Sequence, residues 1–118
     1  MSKTLYIVVP CYNEEDVLAT TAARLGEIME KLASRGEISS SSKIVFIDDG
    51  SRDGTWGIIE NLCEESALFG GIKLSRNSGH QNALMAGLMT VKDEADMVIS
   101  IDADLQDDVD AIERMIDE

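Results

Sequence analysis

Apolar and polar residues alternate along this chain in blocks that switch between two periods. The run Thr4-Leu5-Tyr6-Ile7-Val8-Val9 is nearly continuous apolar and β-branched, the pattern of a parallel strand buried on both faces. Pro10 is expected to end it. Asn13 then offers an N-cap, with Glu14, Glu15 and Asp16 in the first helical turn, where acids are favoured by the helix dipole. Val17, Leu18, Ala22, Leu25, Ile28, Met29 and Leu32 form one apolar stripe at helical spacing. Gly36 and the serines Ser39 to Ser42 read as a surface loop.

A second strand covers Lys43 to Ile47 and runs into Asp48-Asp49-Gly50-Ser51. Ser51 or Asp53 can cap a second helix marked by Trp56, Ile59, Leu62 and Cys63. Gly70-Gly71 is read as a break before a short third strand, Ile72 to Ser75. Ser78 with Gln81 fits a capping box for a third helix carrying Ala83, Leu84, Gly87, Leu88 and Val91. A fourth strand, Met97 to Ile101, precedes a last helix from about Asp107 with Val109, Ile112, Met115 and Ile116. Four strand–helix alternations predict an α/β, Rossmann-like, mostly parallel sheet with right-handed crossovers. The expected strand order is 3-2-1-4.

Composition narrows the partners. The chain has 118 residues, enough for one domain or part of one, and a formal net charge of −13. Nucleic acid is excluded as a partner by that charge, since phosphate backbones are held by Lys and Arg. Direct adsorption to an anionic membrane leaflet is disfavoured for the same reason. No run reaches the ~18 apolar residues that span a bilayer, and the N-terminus lacks signal-peptide architecture. Cys11 and Cys63 have no metal-binding spacing and are expected to be free thiols. The helical pattern is still running at Ile116-Asp117-Glu118 without a C-cap signal. The expectation is therefore residues 1–118 of a longer domain, truncated after the Asp-x-Asp segment, with an uncovered sheet edge that favours a homodimer.

Three strands end in polar clusters: Tyr12-Asn13-Glu14, Asp48-Asp49-Gly50-Ser51 and Asp102-Ala103-Asp104. In a parallel sheet all carboxyl ends share one edge, so the clusters converge there. Asp102 and Asp104, two apart, can face the same way. Such a pair either caps the next helix in a solvated turn or holds a hard cation such as Mg²⁺ or Mn²⁺. Neither Gly-x-Gly-x-x-Gly nor a P-loop occurs, so a phosphate would have to be approached through a cation.

In sequence order, Val9-Pro10-Cys11-Tyr12-Asn13-Glu14, Ile47-Asp48-Asp49-Gly50-Ser51-Arg52-Asp53-Gly54-Thr55, Arg76-Asn77-Ser78-Gly79-His80-Gln81-Asn82-Ala83 and Asp102-Ala103-Asp104-Leu105-Gln106-Asp107 resemble the N-terminal half of a family 2 glycosyltransferase, an inverting enzyme of GT-A fold. The Asp-Ala-Asp-Leu-Gln wording is similar to the branch that charges polyprenyl phosphates. The resemblance implies a nucleotide-diphosphate sugar donor, UDP- or GDP-linked, and a polyprenyl-phosphate acceptor, with a growing polysaccharide as the alternative acceptor. It implies that Pro10, Tyr12, Asn13 and Glu14 line the base and ribose pocket, with Ile47, Asp48, Asp49, Gly50 and Ser51 beside them and Asp48 or Asp49 reading the base. Arg76, Asn77 and Gly79 would shape the floor near the diphosphate. Asp102, Ala103 and Asp104 would reach the donor, with Asp102, Asp104 and Gln106 as ligands of Mg²⁺ or Mn²⁺. The family's general base, acceptor site and membrane-anchoring segments lie downstream of these motifs. The parent protein is thus expected at the cytoplasmic face of the plasma membrane, touching it only through those segments. His80 and Cys11 are read as structural.

Two other readings fit less well. A haloacid-dehalogenase phosphatase carries its Asp-x-Asp on the first strand, and a receiver domain carries its acid pair there too. Here those features fall on the fourth and second strands.

Overall fold

The computed structural model describes residues 3–75 and 79–101; the side chains of His80 and Gln81 lie outside the described set. In chain order the elements are β1 (Leu5–Cys11), α1 (Leu18–Ser34), β2 (Lys43–Asp48), α2 (Thr55–Glu65), β3 (Phe69–Lys73), α3 (His80–Val91) and β4 (Met97–Ser100). The strands form one sheet in the order β3-β2-β1-β4, and every neighbouring pair is parallel. Fold class and strand order are those expected. The helix expected from Asp107 lies outside the described residues.

Strand parity divides the core into two layers. Leu5, Ile7, Val9 and Cys11 of β1, with Ile44 and Phe46 of β2, pack against Leu18, Ala22, Leu25, Met29 and Leu32 of α1 and Ile59 of α2. Tyr6, Val8, Val45 and Ile47 face the other way and meet Ala83 and Val91 of α3. All seven residues of β1 are buried, which is why the strand reads as unbroken apolar sequence.

Three boundaries differ from expectation. Pro10 does not end β1 but lies inside it, paired with Ile47. Its neighbours explain the tolerance. The carbonyl of Val8 accepts the N–H of Ile101, and that of Cys11 accepts the N–H of Asp49. Even positions thus bond toward β4 and odd ones toward β2, and the β4 ladder stops at Val8↔Ser100. Proline's absent donor falls on the β4 side, just past the last paired rung of that ladder.

Gly70-Gly71 is not a break. Both residues belong to β3, which starts at Phe69 and ends at Lys73. A Cβ on Gly71 would lie 2.6 Å from Ile59 Cγ2 and 3.4 Å from the Trp56 ring. Glycine here lets α2 lie directly on the strand. Asn13 is not the N-cap of α1 either: that helix begins later, after Val17, and the N–H groups of Val17 and Leu18 both go to the carbonyl of Glu14.

Gly79 holds the N-cap of α3 with φ 94° and ψ 151°; Ser78 of the expected capping box lies outside the described residues. Further along, α3 approaches the sheet as closely as a helix can. A Cβ on Gly87 would meet Ile47 Cδ1 at 2.6 Å and Val8 Cγ1 at 2.7 Å. Gly87→Ala is therefore expected to destabilise the fold by about 1–3 kcal/mol through overpacking, although alanine is the better helix former. Urea unfolding would show this as a lower midpoint with an unchanged slope, and a stabilised variant would contradict the close contact.

Candidate functional site

The order in which strands are added reverses at β1. From there β2 and β3 run one way, with α1 and α2 on one face, while β4 sits on the other side of β1 and α3 on the opposite face. Such a reversal leaves a crevice at the carboxyl ends, where open α/β sheets bind ligands. The polar segments after β1 and β2 meet at this edge.

Their meeting is a lattice of hydrogen bonds between the two loops. The Asn13 N–H donates to Ser51 Oγ at 2.9 Å, and Asn13 Oδ1 accepts the Arg52 N–H at 2.9 Å. The Glu14 N–H donates to Thr55 Oγ1 at 2.8 Å. The Glu15 N–H reaches Asp53 Oδ2 at 3.2 Å, while Glu15 Oε2 accepts the Gly54 N–H at 2.7 Å. Asp53 Oδ1 also takes the N–H and hydroxyl of Thr55. Desolvation opposes charge on Asp53, yet the bonds from Thr55 and Glu15 hold its carboxyl below the usual range.

The paired acids diverge. Asp48 has the parity of Phe46 and is fully buried, its Oδ1 accepting the Ser51 N–H at 3.0 Å. Its Oδ2 is buried with no hydrogen-bond partner among the described residues. Asp49 is 3% exposed, and its Oδ2 accepts the N–H of Gly79 at 3.1 Å. One acid thus braces its own loop, and the other ties β2 to the start of α3.

Tyr12 stands out from this rim with 41% of its surface exposed, whereas Pro10 and Ile47 are buried in the sheet and Glu14 is half-buried. Cys11 is buried, its thiol donating to the Val9 carbonyl. Burial pushes that thiol well up, and the charges of Glu14 and Asp48 add to the effect. It remains a neutral filler rather than a nucleophile.

Two of the three polar clusters are therefore side by side. The third is not described: Asp102, Ala103, Asp104 and Gln106 lie outside the described residues, as do Arg76 and Asn77. Strand β4 does bring the chain to the same edge, where the Ile101 N–H bonds the Val8 carbonyl at 3.1 Å. Sequence reasoning missed the cross-loop roles of Glu15, Asp53 and Thr55. Their only signal was a concentration of short polar side chains ahead of a helix, which reads equally well as capping.

Fold and rim define an open, parallel α/β sheet with a polar carboxyl edge. The sequence model for glycosyl transferase family 2 matches residues 6–118, and the chain belongs to that family. It is 49% identical over 108 residues to the uncharacterized glycosyltransferase YkoT of Bacillus subtilis, spanning 92% of this chain and 32% of that protein. It is 35% identical over 116 residues to the undecaprenyl-phosphate 4-deoxy-4-formamido-L-arabinose transferase of Aeromonas hydrophila, spanning 98% and 33%. The chain thus spans about a third of the length of these curated relatives. Among solved structures, it resembles the mannosyltransferase PcManGT from Pyrobaculum calidifontis in complex with GDP-Man and Mn²⁺, with TM-score 0.69 and 20% identity over 88% of this chain and 28% of that one. Staphylococcus aureus TarS 1-349 in complex with UDP gives TM-score 0.62 and 24% identity over 86% and 27%. These likenesses establish the fold. Among the described residues no helix is long and apolar enough to cross a membrane.

Proposed function

We propose that residues 1–118 form the nucleotide-sugar-binding part of an inverting glycosyltransferase that moves a hexose from a UDP- or GDP-sugar to a polyprenyl phosphate. The observation that carries this reading is the convergence of the loops after β1 and β2 at the sheet's reversal point, with Asp48 and Asp49 at its base. The acceptor class is supported by the printed name of the Aeromonas relative. The donor class is supported by the GDP-Man and UDP complexes of the structural neighbours. A lipid-phosphate acceptor would place the whole protein at the cytoplasmic face of the plasma membrane.

Tyr12 and Glu14, on the rim, would flank the base and ribose, and Gly50 would keep the β2 loop close to them. Asp49, already fixed by the Gly79 N–H, and Asp48, with one oxygen unpartnered among the described residues, are the two candidates for reading the base. Arg76 and Asn77 follow β3 in sequence and would approach the diphosphate. The hard oxygen donors Asp102, Asp104 and Gln106 follow β4 and suit Mg²⁺ or Mn²⁺. Among the described residues no other group of His, Cys, Asp or Glu could hold a metal. When bound, the ion would neutralise charge on the departing diphosphate.

Calorimetric titration with UDP and GDP, each with and without Mn²⁺, tests the reading. One nucleotide is expected to bind in the presence of the ion, and no binding of either would reject the proposal. Alanine at the base-reading acid should cost on the order of 1–3 kcal/mol by leaving a donor of the base unpaired. If neither Asp48→Ala nor Asp49→Ala alters the preference between UDP and GDP, the base is read elsewhere.

A further inference from the structure

Asn13 is the only non-glycine among the described residues with positive φ, at 53°. Left-handed backbone costs an ordinary L-residue roughly 1–2 kcal/mol, and asparagine is among the few that adopt it routinely. The conformation lets one residue bond the β2 loop from both ends. Its N–H donates to Ser51 Oγ while its Oδ1 accepts from the Arg52 N–H, each at 2.9 Å. Ser51 in turn donates its own N–H to Asp48 Oδ1 at 3.0 Å, the acid whose second oxygen is buried without a partner among the described residues. A path of hydrogen bonds thus runs from the residue beside the exposed Tyr12 ring to a buried carboxylate at the foot of the crevice.

We propose that Asn13 is a positioning residue for the nucleotide pocket, acting through Ser51 and Arg52 rather than by touching the donor. It locks the β1 and β2 loops into one rim, so that Tyr12 on one side and Asp48 on the other keep a fixed spacing. The proposal rests on the nucleotide-binding reading above, but its structural half has a readout of its own. The left-handed backbone and the side-chain acceptor are separate requirements, and three substitutions separate them. Asn13→Gly keeps the backbone and removes the acceptor. Asn13→Asp keeps an acceptor at the same place and tolerates the backbone. Asn13→Ala loses both.

The test uses the 118-residue chain, with amide hydrogen exchange followed residue by residue and nucleotide affinity measured with UDP and GDP in Mn²⁺. Arg52 amide protection should fall in Asn13→Gly and Asn13→Ala and be retained in Asn13→Asp, with β1 and β2 core amides unchanged in all three. Affinity should fall about tenfold in Asn13→Gly, the equivalent of 1.4 kcal/mol, further in Asn13→Ala, and less than about threefold in Asn13→Asp. Wild-type Arg52 protection and affinity in Asn13→Gly would overturn the proposal. So would an Asn13→Asp variant as impaired as Asn13→Ala, because the acceptor would then be irrelevant. Binding of neither nucleotide by the wild type would reject the functional reading instead, and Arg52 exchange would still decide whether Asn13 couples the loops.

Discussion

Asp104→Asn is expected to make nucleoside diphosphate binding indifferent to Mn²⁺, weakening it by more than about tenfold, or roughly 1.4 kcal/mol. The substitution keeps the size of the side chain and one oxygen but removes the negative charge that a hard divalent ion selects. The chain carries 23 acids against 10 Lys and Arg, so a diphosphate approaching it meets repulsion unless a cation intervenes. Removing the ion with EDTA from the wild type should reproduce the effect of the substitution, and the two together should be no worse than either. Calorimetry on four samples, each protein with and without EDTA, measures this directly. Unchanged wild-type affinity in EDTA would remove the ion from the pocket, and additive losses would mean Asp104 acts by another route.

Phe46→Ala should be the most damaging single change in the described core, at about 3–5 kcal/mol. Phe46 is fully buried in β2, under α1 and α2, with its ring 5.9 Å from that of Phe69. Its removal leaves a cavity between the sheet and two helices that backbone hydrogen bonding prevents from collapsing. A domain of this size holds only about 5–15 kcal/mol in total, so a sizeable unfolded fraction is expected on mild warming. Asp48 lies two residues further along the same strand and face, and its bond to Ser51 should loosen with it. Urea unfolding gives the magnitude, and a loss below about 1 kcal/mol would show that the neighbouring side chains refill the space.

The parallel sheet and its flanking helices could be read from the sequence because they follow from one repeated device. Continuous apolar strands such as Leu5–Val9 must be covered on both faces, and helices such as Leu18–Ser34 carry a single stripe to cover them. What escaped was decided by a particular neighbour. Gly71 looks like a chain breaker until Ile59 and Trp56 are seen to occupy the place of its absent Cβ. Asn13, three residues beyond Pro10 and ahead of acids, has every local mark of an N-cap, but its side chain is taken by Arg52, 39 positions away. Local propensity cannot anticipate a partner that only the crossover brings near. For the candidate site, the convergence of the first two clusters was legible from parallel topology alone. Which acid faces which layer was not, because Asp48 and Asp49 leave the end of β2 on opposite sides.

Pro10 withholds one main-chain donor from the β4 side of β1. Beyond the Val8–Ile101 bond, the next β1 position aimed at β4 has no hydrogen to give. Any other amino acid at position 10 would bring an amide there. That amide would either stay without an acceptor or draw the two strands together by one more rung. The missing rung on this side of β1 is thus set by main-chain chemistry. Side chains beside it can change without restoring that donor, whose absence depends on a single imino acid.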